Sequence, residues 1–415
     1  MSLYCACLKG ARLIGSSFKF HKKRIPTVSL TSALHISAKN MTKARKFVLA
    51  KRFVGEPKES DLKLVEEELP PLRDKEILVE AEWLSVDPYM KPYSAWLPVG
   101  TTMLGGQVAR VLESRNPDVK VGDRLMGYFG WRDKTVVDMS QSNSLPMPEK
   151  PYVLPDFEGL PASLGVGVLG MPGDLSICVS SQEHGIFRFP GNLPTATWRG
   201  GCSQWGSRGS GQPSGADSQV KRTLSGNSTC SPHGVWSHTI HKDKSSSQQG
   251  CKVIGFAGTD DKVRWLKEEL NFDEAFNYKT ENPTLVLKQA APEGVDCYFD
   301  NAGGELSSSI LNRMNQGGRI AVCGSTSSYN AVNKLPLAPV VQPALISKEL
   351  KMEGFTVKRW NDRWEEGIKQ NIKWVKEGKL KYRETVTEGF ENMPKAFIGM
   401  LRGENTGKAV VKSKL

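Results

Sequence analysis

Two short polar segments in the C-terminal half of the sequence have the composition of a ligand-binding edge. They are Asp300–Gly304 and Gly324–Tyr329, and each directly follows an apolar run of the length of a buried strand. Their glycines, amide and hydroxyl groups offer hydrogen-bonding partners with room for a flat ring. If both strands belong to one parallel sheet, the segments meet at its carboxyl edge, where ligands bind. Such segments are also ordinary turns, and the residues alone leave both interpretations open.

A lysine after another apolar run indicates which dinucleotide this edge would prefer. The run Cys251–Gly258 has the pattern of a buried strand. Sheets that bind NAD usually place a carboxylate at the tip of this strand, for the ribose hydroxyls. Here the tip is Gly258-Thr259, and Lys262 follows within one turn of the next predicted helix. A lysine suits a ribose phosphate, which favours NADP over NAD, although Lys262 could equally be an ordinary solvated lysine.

The positions of histidine and cysteine exclude several kinds of chemistry. All six histidines lie within residues 1–40 or 174–250. Unless those stretches supply one, the chain has no histidine base, no Ser-His-Asp triad and no imidazole metal ligand. The eight cysteines are too sparse for a disulfide scaffold and include no C-x-x-C pair, which favours a reducing compartment.

The predicted elements divide the chain into a β-rich part and an α/β part. Residues 46–173 show short alternating or apolar runs separated by Gly, Pro and Asp, which is typical of a β domain. No side chain in this part has an ordinary pKa near neutrality. From Cys251 onwards strands and helices alternate, which predicts a doubly wound parallel sheet. Thr259 is the predicted N-cap of the first helix, and another helix is predicted over 282–291.

The net charge of +12 does not indicate a nucleic-acid partner. Residues 1–40 carry seven basic and no acidic side chains, and residues 174–250 carry seven basic and four acidic ones, so the rest of the chain is close to neutral. Residues 1–40 have the composition of a mitochondrial transit peptide, or else form a disordered extension. No run of about 18 apolar residues could span a bilayer. We therefore expect neither nucleic acid nor a membrane as a partner.

Six short motifs together give the chain a resemblance to a known family. They are Val86–Met90, Gly170–Gly173, Phe276–Thr280, Tyr298–Asn301, Gly389–Pro394 and Asn405–Lys408. Over roughly 42–173 and 250–415 the chain resembles the prostaglandin reductases, which are zinc-free members of the medium-chain dehydrogenase/reductase superfamily. The resemblance implies an α/β protein with a basic extension at 1–41, a GroES-like β domain at 42–165, a Rossmann NADP-binding domain at 166–345, and a return of 346–415 to the GroES-like domain.

The same resemblance implies an NADPH-dependent reductase of the carbon-carbon double bond of α,β-unsaturated ketones and aldehydes, of the 15-oxo-prostaglandin or 2-alkenal type. It implies that Lys262 and Tyr278 meet the adenosine ribose phosphate, that Asn301 lines the cofactor cleft, and that Asn405 closes over the cofactor. The nicotinamide half would be held by Cys323, Gly324, Ser325, Thr326, Ser327, Ser328, Tyr329, Phe355, Thr356 and Val357. The resemblance also implies the cytosol and a homodimer, while the N-terminal stretch leaves mitochondria as an alternative.

The reduction of an enone needs a positioned nicotinamide and a donor for the developing enolate oxygen, and neither a metal nor an imidazole. Tyr329 is the candidate donor, and a ring that only packs on the cofactor is the alternative. The cofactor's own ribose hydroxyl can also serve as the donor.

Residues 174–250 depart from the family pattern. The family has its first Rossmann strand and its glycine-rich phosphate loop there, whereas this segment shows no sustained strand or helix period and is predicted to be disordered. The replaced strand belongs in the middle of the sheet, so its loss would leave two buried strand edges unpaired. A non-catalytic or unstable isoform is therefore an alternative function, and a quinone reductase of the same superfamily is another.

Overall fold

The computed structural model describes residues 41–141, 150–173, 222–226, 251–331 and 337–414. Within these ranges the chain from Thr42 onwards belongs to one contact unit. The predicted extension, which covers residues 1–41, lies almost entirely outside this description. None of the helices in the described ranges is both long enough and apolar enough to cross a membrane.

The N-terminal part forms the β-rich unit that its turn-punctuated runs predict. Its strands are β1 (Thr42–Leu49), β2 (Leu62–Leu69), β3 (Glu76–Ser85), β4 (Gln107–Ser114), β5 (Arg124–Gly127), β6 (Lys134–Asp138) and β7 (Tyr152–Val153). Strands β3, β4, β5 and β7 pair antiparallel in that order, β6 also pairs with β3, and β1 pairs with β2 as a separate two-stranded sheet. The short helix α1 (Met90–Ser94) follows β3 and buries Met90 in the core of this unit.

The alternating part forms a parallel sheet, as its pattern predicts. Its strands are β8 (Arg222–Gly226), β9 (Cys251–Ala257), β10 (Glu274–Asn277), β11 (Val295–Asp300), β12 (Met314–Val322) and β13 (Lys351–Gly354). Its helices are α2 (Asp260–Arg264, continued by a π-helical turn over Trp265–Glu269), α3 (Pro283–Ala290), α4 (Gly304–Leu311) and α5 (Gln342–Ser347). The strand order is β10-β9-β8-β11-β12-β13 and every pair is parallel. This confirms the predicted fold class.

Local sequence signals explain where two of these helices begin. The hydroxyl of Thr259 accepts a hydrogen bond from the backbone N–H of Lys262, which confirms the predicted N-cap of α2. Asn282 accepts from the backbone N–H groups of Thr284 and Leu285, with Pro283 at the first helical position. The helix predicted over 282–291 is thereby confirmed.

The centre of the α/β sheet differs from the sequence-based expectation. Strand β8 lies between β9 and β11, with Leu224 in register with Val253 on one side and Cys297 on the other. The expectation of two unpaired edges is therefore wrong, because residues of the atypical segment replace the family strand. The predicted disorder of 174–221 and 227–250 lies outside the described residues.

The C-terminal residues return to the β-rich unit. They form α6 (Trp364–Lys376), β14 (Glu384–Glu388), α7 (Met393–Arg402) and β15 (Lys408–Lys412). Strand β15 pairs with β3, and β14 pairs with β15. Phe397 of α7 packs with Met90 and Trp131 in one apolar core. Since β13 still belongs to the α/β sheet, that sheet extends beyond residue 345, the predicted boundary.

Candidate functional site

The two polar segments singled out in the sequence lie side by side at the carboxyl edge of the α/β sheet. The backbone N–H of Cys323 donates to the carbonyl of Asp300 over 2.7 Å, and that of Thr326 donates to the carbonyl of Asn301 over 3.0 Å. A third such bond joins Ser327 to Ala302 over 3.0 Å. The segments after β11 and β12 are therefore held together along their length, as the predicted shared edge requires.

The buried carboxylate of Asp300 fixes the shape of the first segment. Its Oδ1 accepts hydrogen bonds from the backbone N–H groups of Ala302 and Gly303, and from the hydroxyls of Tyr298 and Ser307. Burial raises the pKa of Asp300, and these four donors act in the opposite direction. These donors lie on both sides of Asn301 in the chain, so they fix the orientation of the Asn301 backbone.

Gly324 lets two predicted site residues approach its backbone closely. A β-carbon at Gly324 would overlap Oδ1 of Asn301 and would lie 3.1 Å from the hydroxyl of Tyr329. The amide of Asn301 and the phenol of Tyr329 therefore converge on the same backbone position. Glycine is the residue that permits such a close approach.

The phenol of Tyr329 is held in its neutral form. Burial raises the pKa of Tyr329, the nearby Cys323 and Tyr93 raise it further, and a hydrogen bond with the backbone of Ser325 opposes them. A neutral phenol can donate its proton to an oxygen that acquires negative charge. This environment is compatible with the predicted donor role.

Helix α1 brings two further residues to this place that the sequence analysis missed. The Lys91 ammonium donates to Oδ1 of Asn330, the residue after Tyr329, and to the carbonyl of Gly55. Burial lowers the pKa of Lys91 to about 8, against the effect of Glu56. Lys91 therefore titrates closer to neutrality in the folded chain than its residue type indicates. The other missed residue is Tyr93, whose phenol acts on Tyr329.

Lys262 is buried, with 4% of its surface exposed. Its ammonium donates to the carbonyl of Gly403 over 2.7 Å. The alternative of an ordinary solvated lysine is therefore wrong, because the C-terminal end of α7 covers this side chain. Tyr278, which directly follows strand β10, places its hydroxyl 3.0 Å from the position that a β-carbon would take on Gly258. Lys262 and Tyr278 thus flank the tip of β9.

Two buried polar atoms, one in the second segment and one in the C-terminal return, lack a hydrogen-bond partner within the described part of the chain. They are the hydroxyl oxygen of Thr326 and Oδ1 of Asn405. The amide nitrogen of Asn405 donates to the carbonyl of Gly407 over 2.6 Å, which fixes the side chain. Buried polar atoms without partners are costly, so their presence fits a site that is completed by a polar ligand.

The remaining predicted contacts have mainly packing roles in the structure. Phe355 packs its ring against Trp360 with centroids 5.4 Å apart, in one apolar cluster with Cys323 and Val357. Burial raises the pKa of the Cys323 thiol to about 12, and the charge of Asp300 adds to this, so the thiol is unreactive at neutral pH. Thr356 precedes the turn of 3-10 helix at Val357–Arg363 and is exposed.

Three other observations concern the candidate site. Ser328 donates its hydroxyl to the carbonyl of Ser325 over 2.7 Å, so these two serines stabilise the second segment. The residues after β8, where the family has its phosphate loop, lie outside the described residues. The same is true of all six histidines. Among the described residues there is no cluster of three or more His, Cys, Asp or Glu side chains that could hold a metal ion.

Comparisons with known proteins agree with this architecture. A family model described as the N-terminal domain of oxidoreductase matches residues 45–145, and one described as zinc-binding dehydrogenase matches residues 246–374. Prostaglandin reductase 1 of Bos taurus is 40% identical over 376 residues, which cover 90% of this chain and 100% of that protein. NADPH-dependent curcumin reductase of Escherichia coli (strain K12) is 33% identical over 379 residues, covering 89% of this chain and 96% of that protein.

A solved structure of CurA from Vibrio vulnificus in complex with NADPH matches with a TM-score of 0.69 at 29% identity. The match covers 89% of this chain and 99% of that one. The relatives are thus matched over nearly their full length.

Proposed function

The chain is a member of the prostaglandin reductase family within the medium-chain dehydrogenase/reductase superfamily, and from this premise we propose that it reduces the carbon-carbon double bond of α,β-unsaturated ketones and aldehydes with NADPH. The observation that carries the proposal is the convergence of the Asn301 amide and the Tyr329 phenol on the backbone of Gly324. It lies at the carboxyl ends of β11 and β12, where a parallel sheet binds its ligand.

The residues around Gly324 are suited to hold the nicotinamide half of the cofactor. When bound, NADPH supplies a hydride to the β-carbon of the enone, and one proton completes the saturated product as NADP⁺ forms. Asn301 and the buried hydroxyl of Thr326 offer hydrogen bonds to a carboxamide or a ribose. The apolar cluster of Phe355 and Val357 supports the segment from behind. Asn405 offers a further buried acceptor from the C-terminal return.

Tyr329 is the proposed proton donor in the active site. Negative charge develops on the substrate oxygen as the β-carbon becomes saturated, and a neutral phenol can hydrogen-bond to that oxygen. Because burial raises the pKa of Tyr329, the group remains protonated throughout the neutral range. A ribose hydroxyl of the cofactor is the alternative donor.

The decisive test is alkenal-dependent oxidation of NADPH by the purified 415-residue chain, alongside Tyr329→Phe. The phenylalanine ring preserves packing but removes the proton, so we expect kcat to fall by about 10²-fold while the Kd for NADPH changes little. A matching kcat in the two proteins would assign the proton to the cofactor's ribose hydroxyl instead.

One feature favours a second candidate function, a non-catalytic isoform. The sequence after Gly226, at the end of β8, is Asn227-Ser228-Thr229-Cys230 and lacks the family's glycine-rich phosphate loop. Titration of the chain with NADPH, followed by nicotinamide fluorescence, separates the two candidates: micromolar binding supports the reductase, and absence of binding supports the isoform. A quinone reductase is separated by comparing turnover of an alkenal and a simple quinone.

We also propose that the chain forms a homodimer, through the free edge of the α/β sheet. Strand β13 ends the described sheet, and all four of its residues are exposed. Met352 on this strand, and Ile346 and Leu337 before it in the chain, are large exposed apolar residues. Exposed strand edges are templates for pairing with another chain. Sedimentation of the wild type and Met352→Lys tests this. We expect the wild type to sediment as a dimer, and the charged variant to be monomeric at protein concentrations at which the wild type is still dimeric.

For the cellular location we propose the cytoplasm, with mitochondria as the alternative because of the basic composition of residues 1–40. A fluorescent protein fused to the C-terminus of the full chain, and of a chain that begins at Met41, distinguishes these locations. A mitochondrial signal that is lost on truncation would establish the alternative.

A further inference from the structure

The turn that follows helix α7 contacts both parts of the molecule. We call its residues, Gly403–Lys408, the Asn405 turn. At its start, the carbonyl of Gly403 accepts from the Lys262 ammonium beside the tip of β9. At its end, the Lys408 ammonium donates to the carbonyl of Val86 over 2.8 Å and lies 2.9 Å from Oδ1 of Asp87, in the connection between β3 and α1. The Asn405 turn is therefore placed between the α/β part and the β-rich part.

The backbone of the Asn405 turn fits closely against the residue before β14. The backbone N–H of Lys408 donates to the carbonyl of Arg383 over 2.8 Å. Gly407 has a φ of +75°, and a β-carbon there would lie 2.0 Å from the same carbonyl oxygen. Glycine is the residue that permits this φ together with so close an approach. One side of the turn is thus in contact with the start of β14.

Thr385, the second residue of β14, satisfies both backbone groups of Thr406 in this turn. Its hydroxyl donates to the Thr406 carbonyl over 2.9 Å and accepts from the Thr406 N–H over 3.0 Å. The neighbouring Asn405 is buried, and its amide nitrogen is engaged by the carbonyl of Gly407. Its Oδ1 remains a buried acceptor without a partner in the described part of the chain. Thr385 therefore fixes the backbone next to the atom that a ligand would meet.

We infer that Thr385 is a positioning residue for NADPH, because its hydroxyl holds the Asn405 turn in the binding arrangement before the cofactor arrives. The inference rests on the proposed function and deepens its cofactor site. Groups that are fixed in advance lose less conformational freedom on binding. A turn that held this arrangement only part of the time would lower the apparent affinity by the same fraction. Thr385 acts through Thr406 and Asn405 and not by contact with the reacting atoms.

The test compares the Kd for NADPH of the full chain and of Thr385→Val, measured by nicotinamide fluorescence. Valine nearly keeps the shape of the side chain but leaves the N–H and the carbonyl of Thr406 without the hydroxyl. We expect the Kd to rise about threefold to tenfold. The kcat at saturating NADPH should remain within about twofold, because the groups around the reacting atoms are unchanged. Thr385→Ser retains the hydroxyl and should bind NADPH as the wild type does.

A second measurement needs no cofactor. Amide hydrogen exchange at Thr406 in the ligand-free chain reports how often the Asn405 turn opens. We expect this exchange to be at least about threefold faster in Thr385→Val than in the wild type. Equal exchange rates would show that the hydroxyl does not hold the turn, and would overturn the inference.

Thr387→Val is the matched control. Thr387 lies two residues further along β14, on the same side of the strand, and is also partly buried. It is in register with Val411 of β15 and not with the Asn405 turn, so its replacement should leave the Kd unchanged. An unchanged Kd in Thr385→Val, or an equal rise in Thr387→Val, overturns the inference alone. Absence of NADPH binding in the wild type overturns the proposed function as well.

Discussion

At the scale of single residues, the site depends on the absence of one side chain. Gly324 lies where any β-carbon would overlap the amide oxygen of Asn301. We expect Gly324→Ala to cost about 1–3 kcal/mol, as strain in the loop or as lost affinity for NADPH, because the packed segment cannot move away freely. Thermal unfolding and NADPH titration measure the two contributions. Gly354→Ala is the control, because nothing lies within 4 Å of its β-carbon position. An equal cost in both variants would contradict the close approach of Asn301 to Gly324.

Lys262 carries the second prediction at this scale. The variant Lys262→Ala removes the ammonium that is proposed to meet the ribose phosphate and also its bond to the Gly403 carbonyl. We expect the KM for NADPH to rise about tenfold or more, since a charge-assisted hydrogen bond contributes about 1.5–3 kcal/mol, with little change in the KM for NADH. Lys267→Ala, an exposed lysine of the adjoining π-helical turn, is the control. Equal effects on NADPH and NADH would contradict the phosphate role.

At the scale of elements, Lys91 joins helix α1 to the segment that carries Tyr329. Burial lowers its pKa to about 8 in the folded chain, against 10.5 for an ordinary lysine. Between these two values the unfolded chain binds more protons than the folded chain, so this lysine makes the free energy of unfolding rise with pH. Below about pH 8 both states are protonated and the contribution no longer changes with pH.

The measurement is urea unfolding of the wild type and Lys91→Met between pH 7 and pH 10. We expect the free energy of unfolding of the wild type, relative to that of the variant, to increase by about 1 kcal/mol over the upper part of this range. This is less than the full effect of the pKa shift, because solvent screens part of the charge. A relative stability that decreases with pH would contradict the burial of a charged Lys91. The variant should also lower kcat, because Asn330 loses its hydrogen bond with Lys91 beside Tyr329.

At the scale of the whole molecule, the α/β sheet depends on five residues from a segment that departs from the family. Leu224 pairs with strands on both of its sides, so Leu224→Pro removes a backbone donor from the centre of the sheet. We expect this variant to unfold at a much lower temperature than the wild type and to be cleaved rapidly by a protease, since proline is tolerated only at sheet edges.

Met352→Pro is the matched comparison, because Met352 lies on the edge strand β13 and pairs with β12 alone in the described sheet. Its loss of thermal stability should be clearly smaller. If the two proline variants lose equal stability, β8 does not hold the central position in solution.

The sequence by itself determined the fold class and the position of the candidate site. The alternation of strands and helices after Cys251 predicts the parallel sheet, and the polar segments at Asp300–Gly304 and Gly324–Tyr329 predict its ligand-binding edge. These predictions were possible because side-chain periodicity and turn residues are local properties of the chain. The family motifs add the same architecture and an oxidoreductase function.

Only the tertiary structure decided which residues complete the sheet and the site. Arg222–Gly226 has no buried-strand pattern of its own, and the two strand edges that flank it supply the hydrogen bonds that make it a strand. Lys91 and Lys262 look like surface lysines in the sequence, and packing against distant residues buries both of them. The physical reason is the same in each case: such properties depend on contacts between residues far apart in the chain, which no local pattern of residue types records.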